Sequence, residues 1–175
     1  MTKVISFPPI ANADATVLIL GSMPGVRSLE AKRYYAHPNN CFWYIIEKLL
    51  ASNCELEYSA RVELLRKNNI ALWDVLKLCI LKGSLDSSIA ASSVVTQNFE
   101  SFYASIPNIQ TIFFNGATAE KEYLKRVHPS LPEKYRGIPH HRLPSTSPAM
   151  ASLTKEEKLE RWRVVKLSVK SFEIR

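Results

Sequence analysis

Four short apolar runs stand out along the chain. ATVLILGS (15–22) is apolar at nearly every position, which is how a strand covered on both faces is written. NIALWDV (69–75) and IQTIFFNG (109–116) share that pattern, and HHRLPST (140–146) is a shorter, more polar version. Between these runs the apolar residues fall at helical spacing. FWYIIEKLLAS (42–52) carries a broad apolar stripe and YSARVELLRKN (58–68) is amphipathic. Asn98–Ser105 and Ala117–Val127 read as two further helices. A last helix starts at Thr154, with Glu157 three residues on in capping-box spacing. It places Leu159, Trp162, Val165 and Val169 on one face. Strands alternating with helices predict βαβ units and a parallel sheet covered on both sides.

In such a sheet the reactive crevice lies beyond the carboxyl ends of the strands. That brings four segments near one another: GSMPG (21–25), Trp73-Asp74, Asn115-Gly116 and STSPAM (145–150). The chain shows no repeat, low-complexity stretch or linker, so residues 1–175 read as one domain.

Composition narrows the function. With 46% hydrophobic and 22% charged residues the chain is of ordinary globular type. No apolar run approaches the roughly 18 residues of a membrane span, and MTKVISFPPIANADA lacks the apolar core of a secretory signal. Cys41, Cys54 and Cys79 are odd in number and lack metal-ligand spacing, which predicts reduced thiols in a cytoplasmic protein and no metal centre. The net charge of +7 favours a polyanionic partner.

Three segments carry candidate chemistry. In GSMPG, Gly21 and Gly25 permit tight turns, Pro24 stiffens the loop, and backbone N–H groups can converge on a negative ligand atom. The segment is neither a Walker loop nor GxGxxG. YYAHPNNCFW (34–43) crowds rings and amides around a proline, which fits no amphipathic helix or alternating strand. LPSTSPAMA (143–151) offers the hydroxyls of Ser145, Thr146 and Ser147, a rigid Pro148 and an apolar tip, Met150.

Taken in order, GSMPGVRSLEAKRYYAHPNNCFW (21–43), ALWDV (71–75), IFFNG (112–116) and LPSTSPA (143–149) resemble the uracil-DNA glycosylase superfamily. Within it they are most similar to the hypoxanthine-DNA (deoxyinosine) glycosylase branch. The resemblance implies a three-layer α/β/α sandwich with a short, mainly parallel four-stranded sheet. It implies a monomeric enzyme that hydrolyses the N-glycosidic bond of a deaminated base in DNA, without metal or organic cofactor. The first loop and the loop after the last strand would face the DNA.

Other branches carry an Asp or Asn at the position of Met23, or a Glu at that of Ser22. The resemblance instead gives the catalytic role to Asn40, which matches the Asn of a YYAHPRN-x-FW pattern. Asn39 stands where Arg is commoner, and Ser145 near where other branches carry a His. Phe42 falls at the stacking aromatic, and Asp74 where some branches have a base-reading Asn.

These residues suit the chemistry. A base inside a duplex must leave the stack before it can be cut. Cleavage passes through an oxocarbenium-like sugar, so a neutral amide such as Asn40 serves by placing a water. Backbone N–H groups around Gly21, Ser22 and Met23 would stabilise charge on the departing base. His37 donates a hydrogen bond or locks its loop. Ser145, Thr146, Ser147 and Pro148 grip phosphates, while Met150 wedges into the helix. An ionised Asp74 accepts the ring N–H of hypoxanthine, or else caps the turn after its strand. Asn115 is expected to cap the following helix, and Trp43 to belong to the core. The alternatives are a uracil or G:U/G:T mismatch-specific enzyme, and a non-catalytic nucleic-acid-binding domain of the same fold.

Overall fold

The computed structural model describes residues 2–52, 55–81 and 94–173. In chain order the elements are β1 (Thr2–Ile5), β2 (Val17–Gly21), α1 (Val26–Ala31), α2 (Phe42–Leu50), α3 (Tyr58–Lys67), β3 (Ile70–Asp74) and β4 (Leu76–Leu81). They continue as β5 (Val95–Thr96), α4 (Phe99–Ser105), β6 (Thr111–Asn115), α5 (Ala117–Glu122), α6 (Glu133–Arg136), β7 (His140–Leu143) and α7 (Lys155–Glu173).

The four apolar runs are the four strands of one sheet, in the order β3-β2-β6-β7. All three pairings are parallel, with Gly21 opposite Asp74 and Asn115 opposite Leu143. Their carboxyl ends therefore line up at one edge. Every residue of β2 and β3 is buried, which explains their unbroken apolar character. Alternation along the strands divides the core in two. Leu18, Leu20, Trp73 and Phe114 pack with Phe99, Tyr103 and Tyr123 on one face. Val17, Ile19, Leu72 and Phe113 pack with Phe42, Ile46, Trp162 and Val165 on the other. The result is the expected α/β/α sandwich. Each large side chain removed from water stabilises it by roughly 1.5–3 kcal/mol before entropy is counted.

A second sheet, β1-β4-β5, is antiparallel and was not expected. Its first pairing joins Thr2 to Leu81, a contact too remote in sequence for local pattern to announce. After Asp74 the chain runs on through Val75 into β4. The amides of Val75 and Leu76 donate to the carbonyls of Gly21 and Ser22, at 2.9 and 3.1 Å. The predicted helix over 117–127 is α5 followed by a π-helical turn, Tyr123–Val127. Thr154 and Glu157 form the expected capping box, with reciprocal bonds of 2.7 and 3.1 Å. Among the described residues no helix is long and apolar enough to cross a membrane.

Candidate active site

The first loop leaves β2 at Gly21, and no other residue fits there. A Cβ would collide with Oδ1 of Asp74 and lie 2.8 Å from the Tyr35 hydroxyl. Ser22 and Met23 are buried behind it. With the Gly21 and Ser22 carbonyls held from behind by Val75 and Leu76, the loop is fixed as a rigid backbone turn.

The aromatic segment is a stack of rings pinned by main-chain bonds. The Tyr34 hydroxyl donates to the carbonyl of Pro8 at 3.0 Å, and the Trp43 indole N–H donates to the carbonyl of Tyr34 at 2.8 Å. Burial, and then the nearby Asp74 charge, push the Tyr34 phenol well above its ordinary range, so it remains a neutral donor. Trp43 is a core residue, as expected.

Tyr35 is held at φ 53°, a left-handed conformation uncommon for a bulky side chain. Its ring stacks on Phe42 with centroids 4.1 Å apart and planes at 24°. Phe42 itself is 0% exposed. The expectation that Phe42 meets a base directly is thereby corrected: Phe42 supports the half-buried Tyr35, whose ring lies between it and the first loop.

Asn40 sits just before α2. Its Oδ1 accepts from the amide of Phe42 at 3.0 Å, and its own amide donates to the carbonyl of His37 at 2.9 Å. An amide oxygen has two lone pairs, so one remains for a further donor. The ring Nδ1 of His37 accepts from the amide of Asn39 at 3.1 Å, which favours the loop-locking role for this histidine. Asn39 is exposed.

The last loop is held from three sides. Thr146 is 1% exposed. Its amide donates to Oδ1 of Asn115 and its hydroxyl accepts from Nδ2 of the same residue, both at 2.9 Å. Two expectations are corrected here. The Thr146 hydroxyl is buried and engaged, so it is no phosphate grip. Asn115 clasps Thr146, and α5 begins instead at Gly116 with no side-chain cap. Gly116 has φ +96°, and a Cβ on it would lie 2.9 Å from that of Ser145.

The carbonyl of Thr146 accepts from the amide of Cys41 at 3.1 Å and from its thiol at 3.4 Å, joining this loop to the aromatic segment. Burial pushes the Cys41 thiol up, which keeps it inert.

Helix α7 supplies the third hold. Lys158, only 4% exposed, donates to the carbonyls of Ser147 at 3.2 Å and Met150 at 2.7 Å. One turn on, the Trp162 indole donates to the carbonyl of Pro144 at 3.0 Å. Lys158 was not foreseen, since nothing in a lysine-rich helix marks one lysine as buried. Ser145 and Ser147 are half-buried, Pro148 is exposed, and Met150 is half-buried.

Asp74 is 3% exposed and accepts from the Ser6 hydroxyl at 2.8 Å, directly beneath Gly21. The amides of Val75 and Leu76, which follow its strand, donate to the main chain of the first loop. The Asp74 carboxylate is covered by the loop it supports, which corrects the expectation of an open, base-reading edge.

At the carboxyl ends of the parallel strands the fold thus assembles a rigid backbone loop, an aromatic shelf, one amide with a spare lone pair, and a hydroxyl-bearing loop with an apolar tip. The chain belongs to the uracil DNA glycosylase superfamily, whose family model matches residues 8–166. A Hypoxanthine DNA glycosylase of Methanosarcina acetivorans is 32% identical over 161 residues, covering 91% of this chain and 95% of that protein. A Hypoxanthine DNA glycosylase of Methanosarcina barkeri is 34% identical over 111 residues, 63% of this chain and 69% of that protein. The solution NMR structure of a Methanosarcina acetivorans protein, described as a candidate uracil DNA glycosylase, superposes with a TM-score of 0.79 at 29% identity. That match covers 97% of this chain and 99% of the other.

Proposed function

We propose that this protein is a monofunctional DNA glycosylase that hydrolyses the N-glycosidic bond of deaminated bases, with hypoxanthine as its main substrate. The observation that carries this is the likeness to a hypoxanthine DNA glycosylase over 91% of the chain, within a shared superfamily.

The flipped nucleotide lies against Tyr35, with Phe42 beneath that ring as its backing. Asn40 presents its remaining amide lone pair to a water, which attacks C1′ as the bond to the base breaks. The electron pair leaves with the base and the water's proton is released. The capping bond to Phe42 holds the amide in place beforehand, so the gain is one of placement. Backbone N–H groups of the first loop, around Ser22 and Met23, stabilise the negative charge that develops on the leaving base. Asp74 keeps Gly21 and its loop at the required height from below. Ser145 and Ser147, with Pro148, contact the DNA backbone, and Met150 enters the space the base vacates. The protein works as a monomer in the cytoplasm.

The test is a panel of duplex oligonucleotides carrying inosine, uracil, xanthine or a thymine mismatch, assayed for alkali-labile sites. Excision fastest on inosine is the expected result. Excision of uracil alone would make this a uracil enzyme, and binding without excision would leave a nucleic-acid-binding domain.

A further inference from the structure

Beside the aromatic segment runs a cleft of about 610 Å³, reaching from Tyr35, His37 and Asn40 to the second turn of α2 and the start of α3. It is continuous with the candidate site, because those three residues line both.

Its cations are placed unusually. The ammonium of Lys48, from α2, lies 5.9 Å from the ring centroid of Tyr44. The ammonium of Lys155, from the first turn of α7, lies 5.7 Å from the same ring. Two elements far apart in sequence thus bring like charges onto one tyrosine, at a cost in mutual repulsion. A third cation, Arg33, lies 5.3 Å from the ring of Tyr58. Among the described residues no carboxylate is within ion-pair distance of Lys48, Lys155 or Arg33. Arg27, Arg66, Arg126, Arg142 and Arg163, outside this cleft, are each matched by a glutamate. Inside it Arg61 is paired with Glu47, and Glu55 and Glu57 also line the cleft without an ion pair to Lys48, Lys155 or Arg33 among the described residues. Rings beneath the ammonium groups restrict long, flexible side chains while leaving their donors open to an anion.

We propose that this cleft is a phosphate track: Lys48 and Lys155, steadied on Tyr44, bind backbone phosphates of the lesion-bearing strand next to the flipped nucleotide. The proposal rests on the glycosylase reading for the identity of the polyanion. Its distinguishing property is salt dependence, since each phosphate neutralised on a duplex adds about 0.9 to the slope of log affinity against log salt.

Fluorescence anisotropy with a labelled inosine duplex, titrated over a range of salt, reads this slope. Lys48→Ala and Lys155→Ala should each lower it by about 0.9, and the double variant by nearly twice that. Tyr44→Leu should weaken binding with the slope kept. Lys67→Ala and Lys125→Ala, both outside the cleft, should leave slope and affinity unchanged. Circular dichroism establishes that each variant is folded. A double variant with the wild-type slope overturns the track, and so does a slope that Lys67→Ala lowers equally. A wild type that excises inosine while the double variant keeps its slope leaves the glycosylase reading intact. A double variant that loses slope as expected, while the wild type excises no base, sinks that reading and keeps the track.

Discussion

The aromatic segment and the last loop meet at Thr146, yet they are held by opposite means. Residues 34–43 are rigid because rings pack on rings: Tyr35 on Phe42, Phe42 edge-on to Trp43 and Trp162. Loop 144–150 has few apolar contacts of its own and is fixed by bonds to its main chain. Those bonds come from Asn115, Cys41, Lys158 and Trp162, on three different segments. Packing over a broad surface is forgiving of small shifts, whereas a loop hung on a few bonds fails at the loss of one. A glycosylase needs both: a shelf of fixed shape for the base, and a strand-gripping loop set at a fixed distance from it.

The comparison breaks most completely at Asn40, the amide between the two regions. Asn40→Ser keeps an oxygen for the Phe42 amide but withdraws the amide proposed to place the water. Single-turnover excision should fall by about 10²-fold or more, with lesion-DNA binding and melting temperature nearly unchanged. Asn39→Ala should leave the chemical step almost intact. The reverse pattern would shift the role to Asn39.

The two rings of the shelf should separate next. Phe42→Ala removes a fully buried ring and should cost about 3–5 kcal/mol of stability by chemical denaturation. Tyr35→Leu should leave stability within about 1 kcal/mol and reduce excision if, as proposed, that ring meets the base. Equal stability losses would make both rings core.

On the other side, Asn115→Ala leaves two buried polar groups of Thr146 without a partner. It should cost about 1–3 kcal/mol by denaturant titration and weaken duplex binding. A binding loss without a stability loss would make Asn115 a direct DNA contact. At the tip, Met150→Ala should slow excision from duplex severalfold and from single strands hardly at all, as single-turnover rates on the two substrates will tell.

The smallest effect concerns the helix that anchors the loop. The Thr154 amide, donating to Glu157, holds that carboxyl below its usual value of 4.5. A depressed folded value gives stability that is present above pH 4.5 and is lost as pH falls below it. Glu157→Gln should flatten the melting temperature of the protein slightly across that acid range. An unchanged acid profile would show that the capping box contributes nothing measurable.

Much of this was written in local pattern. The unbroken apolar runs of β2, β3 and β6 announced strands buried on both faces, because only such strands omit the polar alternation. The capping box at Thr154, and the α7 face bearing Trp162, Val165 and Val169, followed from spacing alone. Strand–helix alternation was enough to bring the first loop, Trp73-Asp74, Asn115-Gly116 and the last loop to one edge.

What only the tertiary structure decided is which member of each segment faces outward. Phe42 and Tyr35 are both aromatic, and sequence spacing cannot tell the covered ring from the covering one. Three adjacent hydroxyls look equivalent until Asn115 takes Thr146. A lysine in a charged helix reads as solvated until the carbonyls of Ser147 and Met150 are found at its ammonium. Asp74 was legible as a strand-end carboxylate, but its burial under Gly21 depends on parallel register between β2 and β3. Local sequence fixes periodicity and turn chemistry, which act over a few residues. Exposure and hydrogen-bond partners depend on contacts across the whole chain, and only the folded packing assigns them.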